Sequence, residues 1–122
     1  MIPKFRVWDR KLNEMFLSDE VVVQIKGQDV LVALEDSLHQ IQDFSLMLST
    51  GLYAKYQTEI YEKDIVSDSY GDLFLVEWLD GAFVLTEYYN GGYDHHYIND
   101  SSNLEVIGNK YENPELLKEM VE

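Results

Sequence analysis

The sequence predicts a mainly β protein: two small β subdomains, residues 1–52 and 53–122, the second an SH3-like barrel closed by a short C-terminal α-helix. Three observations carry this expectation. Short apolar runs alternate with polar residues and are bounded by turn formers, the pattern of half-buried strands. Glycine-containing turn sequences recur between the runs, at Lys26-Gly27-Gln28-Asp29, Asp80-Gly81 and Asn90-Gly91-Gly92. The tail alone carries a helix with its own start signal.

A chain of 122 residues is one domain, or two small subdomains sharing a core. The apolar fraction of 46% is that of a globular protein. There is no cysteine, so disulfides and thiolate metal sites are unavailable and a reducing compartment is expected. No apolar run nears the roughly 20 residues that span a bilayer, and the first residues lack the apolar segment of a signal peptide. The expected location is the cytoplasm, with no membrane partner.

In chain order, residues 4–9 place Phe5 and Val7 on one face of a strand. A polar turn over 9–13 leads to a second strand from Glu14, giving a hairpin. Residues 21–25, rich in valine, read as a short buried strand, and 30–34 as its partner across the turn at Gly27. Between 35 and 48 the spacing of Leu34, Leu38, Ile41, Ser45 and Leu48 is helical, with Asp36 or Ser37 as cap. Alternation over 44–49 is that of a strand ended by Gly51, so the reading is a short helical turn near 37–42 followed by a strand.

The segment 49–66 has the densest turn chemistry and links the two halves. A strand starts at Asp64, and Asp68-Ser69-Tyr70-Gly71 is a turn. Residues 72–78 form a largely buried strand, Asp80-Gly81 suits the positive φ of a tight hairpin, and 82–88 return. Residues 90–96 read as an exposed loop, and 104–107 as the last strand. In the tail Asn113 caps, Pro114 takes the first helical position and Glu115 complements the dipole. Leu116, Leu117, Met120 and Val121 share the face that must dock, because so short a helix is unstable alone.

The net charge is −14 and unevenly spread. Residues 1–13 carry Lys4, Arg6, Arg10 and Lys11 against Asp9, whereas 14–122 carry five bases against 22 acids. Phosphate binding needs clustered bases, so direct nucleic-acid binding is not expected. Acidity of this kind serves solubility, or else meets a basic host protein as a DNA mimic.

Asp94-His95-His96 is the constellation nearest to an enzymatic or metal site. Adjacent histidines on a strand point to opposite faces, and no metal-type histidine spacing is present. Glu59, Glu62 and Asp64 could be assembled around a divalent cation, but Asp64 bonding its own turn is the simpler reading. Neither a phosphate loop nor a nucleophile elbow occurs. No catalytic residue, cofactor or metal is expected. Residues 53–97 hold 11 of the 16 aromatics, and of these Phe74, Trp78 and Phe83 are expected in the barrel core. Tyr88, Tyr89, Tyr93 and Tyr97 flank the glycine pair and are the candidate contact surface, since tyrosine joins apolar area to a polar tip.

Three stretches resemble the YopX family of phage and prophage proteins. They are Lys4-Phe5-Arg6-Val7-Trp8-Asp9, then Ser49-Thr50-Gly51-Leu52 with the segment Glu59-Ile60-Tyr61-Glu62-Lys63-Asp64-Ile65-Val66, then Val106-Ile107-Gly108-Asn109-Lys110-Tyr111-Glu112-Asn113-Pro114-Glu115-Leu116-Leu117. The resemblance implies a mostly β, two-part architecture with a C-terminal SH3-like barrel and a prophage origin; it supplies no activity and no catalytic residues. The chain departs from the family at Lys63, where glycine is usual, and over 53–58, where an Asp/Asn/Gly-rich turn is usual. A non-glycine residue is expected at such a turn only if its φ is negative. The functional expectation is a non-enzymatic module that contacts a host or phage protein, or a second copy of itself.

Overall fold

A computed structural model describes residues 4–37 and 39–121, which fall into two compact units, 1–48 and 49–122. In the first unit β1 (Phe5–Asp9) pairs antiparallel with β2 (Glu14–Phe16) and with the front of β6 (Phe44–Tyr53). A second sheet joins β3 (Val21–Lys26), β4 (Asp29–Leu34) and β5 (Gln40–Ile41) in that order. Val7, Val21, Val32 and Ile41 form the core, with Phe16, Phe44 and Leu46 packed against it. The polar turn after β1 is held by Asp9, whose Oδ1 accepts from the amides of Lys11 and Leu12, at 2.9 and 3.1 Å.

Three expectations for the chain up to the end of β6 are corrected. The valine-rich strand β3 is buried only at Val21: Val22 is exposed because the sheet has one face on the core and one toward solvent, and Ile25, on the core-side face, is exposed because it lies at the hairpin tip. No helical turn occupies the described residues of 37–42; β5 is there, and its register with β4 buries Ile41 (Leu38 lies outside the described residues). One isolated turn of helix gains a single backbone bond for three ordered residues, so the strand pairing wins. Nor does Gly51 end β6. The strand runs through it at φ 76°, with a register shift between Ser49 and Tyr53. The Ser49 and Thr50 hydroxyls hold the irregularity: Thr50 Oγ1 donates to the Ile60 carbonyl (2.7 Å), and Ser49 Oγ donates to the Glu59 carboxylate.

In the second unit the rear of β6 pairs with β7 (Glu59–Tyr61), across a tight turn at Lys55–Gln57. Five further strands form an antiparallel sheet: β8 (Asp64–Ser67), β9 (Leu73–Leu79), β10 (Ala82–Tyr89), β11 (Gly92–Tyr97) and β12 (Glu105–Asn109), in the spatial order β11-β10-β9-β8-β12. That order is linear, with β11 and β12 as unjoined edges, so the pairing does not show the SH3-like closure expected from the sequence. One face carries Val66, Phe74, Val76 and Leu85, which pack with Ala54, Ile60 and Leu104 into the core. The register puts Ile65, Leu75 and Thr86 on the other face, also buried. Helix α1 (Pro114–Val121) contacts β9, β10 and β12, as its apolar face requires. Trp78, expected in the core, instead sits half-exposed near the β9–β10 hairpin, edge-on to Phe83 with centroids 4.8 Å apart. That hairpin turns through Asp80 (φ 49°) and Gly81 (φ 85°), as an Asp-Gly pair allows.

Lys63 is left-handed, at φ 69°, and so are Tyr56 and Gln57 at 64° and 61°. The chain thus keeps a glycine-type backbone at Lys63 without glycine, contrary to the negative φ expected. Two backbone bonds enforce it: the Lys63 amide donates to the Val76 carbonyl (2.7 Å), and its carbonyl accepts from the Lys110 amide (2.8 Å). A Cβ in this region costs about 1 kcal/mol. Lys63→Gly should therefore be about 1 kcal/mol more stable than Lys63→Ala by urea denaturation. Both variants lose the ion pair to Glu77 and differ only in that Cβ.

Candidate functional site

The four tyrosines singled out by sequence do not lie in a loop. After a two-residue turn at Asn90 and Gly91 (φ 81°), the chain returns as β11, paired with β10 along its whole length. Tyr88 faces Tyr93, Thr86 faces His95 and Val84 faces Tyr97. Directly paired residues of an antiparallel ladder share a face. Tyr88, Tyr93 and Tyr97 therefore lie together, with His95 between the last two. Tyr89, paired with Gly92, lies on the opposite face and does not join them. The period-2 pattern Tyr93-x-His95-x-Tyr97 was the available signal for a strand.

The shared surface is ordered by its own contacts. The Tyr88 and Tyr93 rings are 6.3 Å apart, and Tyr93 lies 5.2 Å from the His95 ring. His95 Nδ1 and Thr86 Oγ1 are hydrogen-bonded at 2.9 Å; Thr86 is 1% exposed, so its hydroxyl orients the imidazole from beneath. With Glu77 these side chains line a shallow depression of ≈ 240 Å³. Its rim is open to solvent at Tyr93, 59% exposed, and Tyr97, 76% exposed, stands farther along β11 outside it. Partial burial first, then the Glu77 carboxylate and the Tyr93 ring, raise the Tyr88 phenol above its ordinary pKa of 10.0. On the other face, partial burial and then Asp94, which is hydrogen-bonded to the phenol, raise Tyr89 likewise. The Tyr88 phenol is thus neutral over the whole physiological pH range.

Asp94, His95 and His96 do not converge. His96 points to the face opposite His95, where Nε2 lies 3.2 Å from Glu87 Oε1 and the ring meets Phe74 edge-on. The central carboxylates are also occupied structurally. Asp64, 1% exposed, accepts from the Tyr61 amide through Oδ2 at 2.7 Å, and Glu59 bonds Ser49. Among the described residues, no three His, Asp or Glu side chains come together as a metal site would require. No helix of the described residues is long and apolar enough to cross a membrane.

Fold and surface together define a small protein of antiparallel sheets with one docked helix and an aromatic patch along an exposed strand. The chain belongs to the YopX family: the family described as "YopX protein" matches residues 4–118. It is similar to the crystal structure of protein EF1440 from Enterococcus faecalis, at 25% identity and a TM-score of 0.61, over 96% of this chain and 99% of that one. It is similar also to the X-ray structure of yopX from Bacillus subtilis, at 25% identity and a TM-score of 0.65, over 93% of this chain and 96% of that one. Among curated proteins none matches.

The two later stretches that carry the family resemblance interlock with each other. Asp64 of β8 is the ladder partner of Asn109 of β12, and the Lys110 amide bonds the Lys63 carbonyl. Asn109 Oδ1 accepts from the amides of Tyr111 and Glu112, at 3.0 and 2.8 Å, while its Nδ2 donates to Glu112 Oε1. Asn113 Oδ1 accepts from the Asn109 amide. These segments build the turn and the entry to α1.

Proposed function

We propose that this YopX-family protein is a non-enzymatic protein–protein interaction module whose contact surface is the β10–β11 face bearing Tyr88, Tyr93 and Tyr97. One observation carries the reading: half-buried Tyr88 and exposed Tyr93 and Tyr97 share one face of a regular strand pair, with Tyr93 braced between Tyr88 and His95. Interfaces favour tyrosine because a large ring with few rotatable bonds contributes contact area at low entropic cost. A surface already ordered by its own packing loses little further freedom on binding.

The test is retention of binding partners by immobilised protein, including a differently tagged second copy of this chain. Wild type and Tyr89→Ala should retain the same proteins, because Tyr89 lies on the other face. The variant Tyr88→Ala/Tyr93→Ala/Tyr97→Ala, shown folded by circular dichroism, should lose them. Equal retention by the triple variant would overturn the assignment.

A further inference from the structure

We infer that the partner of this surface includes a second copy of the chain, joined through antiparallel pairing of β11 with β11 about a two-fold axis at His95. The inference rests on the reading of the β10–β11 hairpin as a contact surface and names its occupant.

β11 is an edge strand, exposed from Tyr93 to Tyr97. The backbone pattern follows from the turn. In a two-residue hairpin the closing pair, here Tyr89 and Gly92, is a hydrogen-bonded pair, and bonded pairs alternate with non-bonded ones. The pairs of Tyr93, His95 and Tyr97 with β10 are therefore the non-bonded kind, and their N–H and C=O groups point away from the sheet. Such a row is a template for another strand unless it is guarded by a bulge, proline, a short length or several charges. The opposite edge, β12, has a bulge between Val106 and Gly108 and is contacted by α1. β11 is six residues without bulge or proline, and Asp94 is its one acid.

The side chains select the occupant. A closed two-fold dimer of antiparallel edge strands has its axis perpendicular to the sheet, so the residues facing each other have the same parity. Centred on His95, the pairing sets Tyr93 against Tyr97 of the other copy, twice, and Asp94 against His96, twice. Aromatics meet aromatics on one face, and a carboxylate meets an imidazole on the other. The three outward residues would exchange roughly six backbone hydrogen bonds across the axis. The strand is thus complementary to itself.

The net charge of −14 opposes any such dimer at low ionic strength, so added salt should strengthen it. A basic partner would respond in the opposite sense.

The test uses the absence of cysteine from the chain, which makes each introduced thiol unique. Mixing Tyr93→Cys with Tyr97→Cys and oxidising should give a disulfide-linked dimer of two different chains. Neither variant alone should cross-link, since like positions lie roughly 13 Å apart along paired strands. In sedimentation at concentrations on the order of 100 μM, the wild type should move toward twice its 14.3 kDa mass, increasingly so with salt. His95→Pro removes an outward N–H from the free edge of β11, together with the imidazole bonded to Thr86, and should weaken association roughly 100-fold. A monomeric wild type, or equal cross-linking of every cysteine variant, would overturn the inference. If that monomer still retained a different protein through its tyrosines, the proposed function would stand and self-pairing alone would fall.

Discussion

Gly108→Val is expected to destabilise the unit 49–122 by about 3 kcal/mol and to reduce its helical circular dichroism. A Cβ at Gly108 would stand 2.5 Å from Asn113 Oδ1, 2.7 Å from its Cγ and 3.0 Å from Leu116 Cδ1. Asn113 cannot yield cheaply, because the same Oδ1 accepts from the Asn109 amide at 3.1 Å and its own amide donates to the Asn109 carbonyl at 2.9 Å. Moving it opens the entry to α1, and moving Leu116 lifts the helix from the sheet. Gly108→Ala should show the same effect at smaller amplitude, since the added β-carbon already meets Asn113. Urea denaturation of both variants checks the order, and an alanine variant as stable as wild type would refute the steric account.

The second large effect is at Asp64. Asp64→Ala should cost about 3 kcal/mol, because the Tyr61 amide would lose its carboxylate acceptor in a place closed to water. Asp64→Asn retains an oxygen that can accept from the same amide, so it should lie between alanine and wild type. The comparison separates acceptor from charge: an asparagine variant as unstable as alanine would assign the effect to the charge. Neither change touches the tyrosine face. Partner retention measured below the unfolding midpoint should therefore be unaltered.

These two residues explain why the family resemblance led to a fold and not to an activity. Gly108 makes room for the cap of a helix, Asp64 terminates a buried amide, and Asn109 organises the turn from β12 into α1. Each requirement is local and tied to one residue type, so each leaves a mark that can be read in a single chain. Tyr93 and Tyr97 meet no comparable requirement of the fold, because they stand in solvent. Their significance depends on which strand lies beside them and on which face they share.

The sequence alone determined what is set by neighbours along the chain. The β1–β2 turn under Asp9, the Asp80-Gly81 hairpin, the Asp68 turn and the Asn113-Pro114 helix start all follow from bonds or φ preferences within about four residues. Tertiary structure decided the rest. Ile41 joined a strand because β4 offered it a ladder and a core, and β6 continued through Gly51 because Thr50 found the carbonyl of Ile60. Lys63 accepted a glycine's backbone because Val76 and Lys110 hold both of its peptide groups. Residues 92–97 became an edge strand through pairing with β10, which placed Tyr89 apart from Tyr88, Tyr93 and Tyr97. In every such case the deciding partner lies across a sheet, and its bonds and buried area outweigh the weaker preferences of the segment itself.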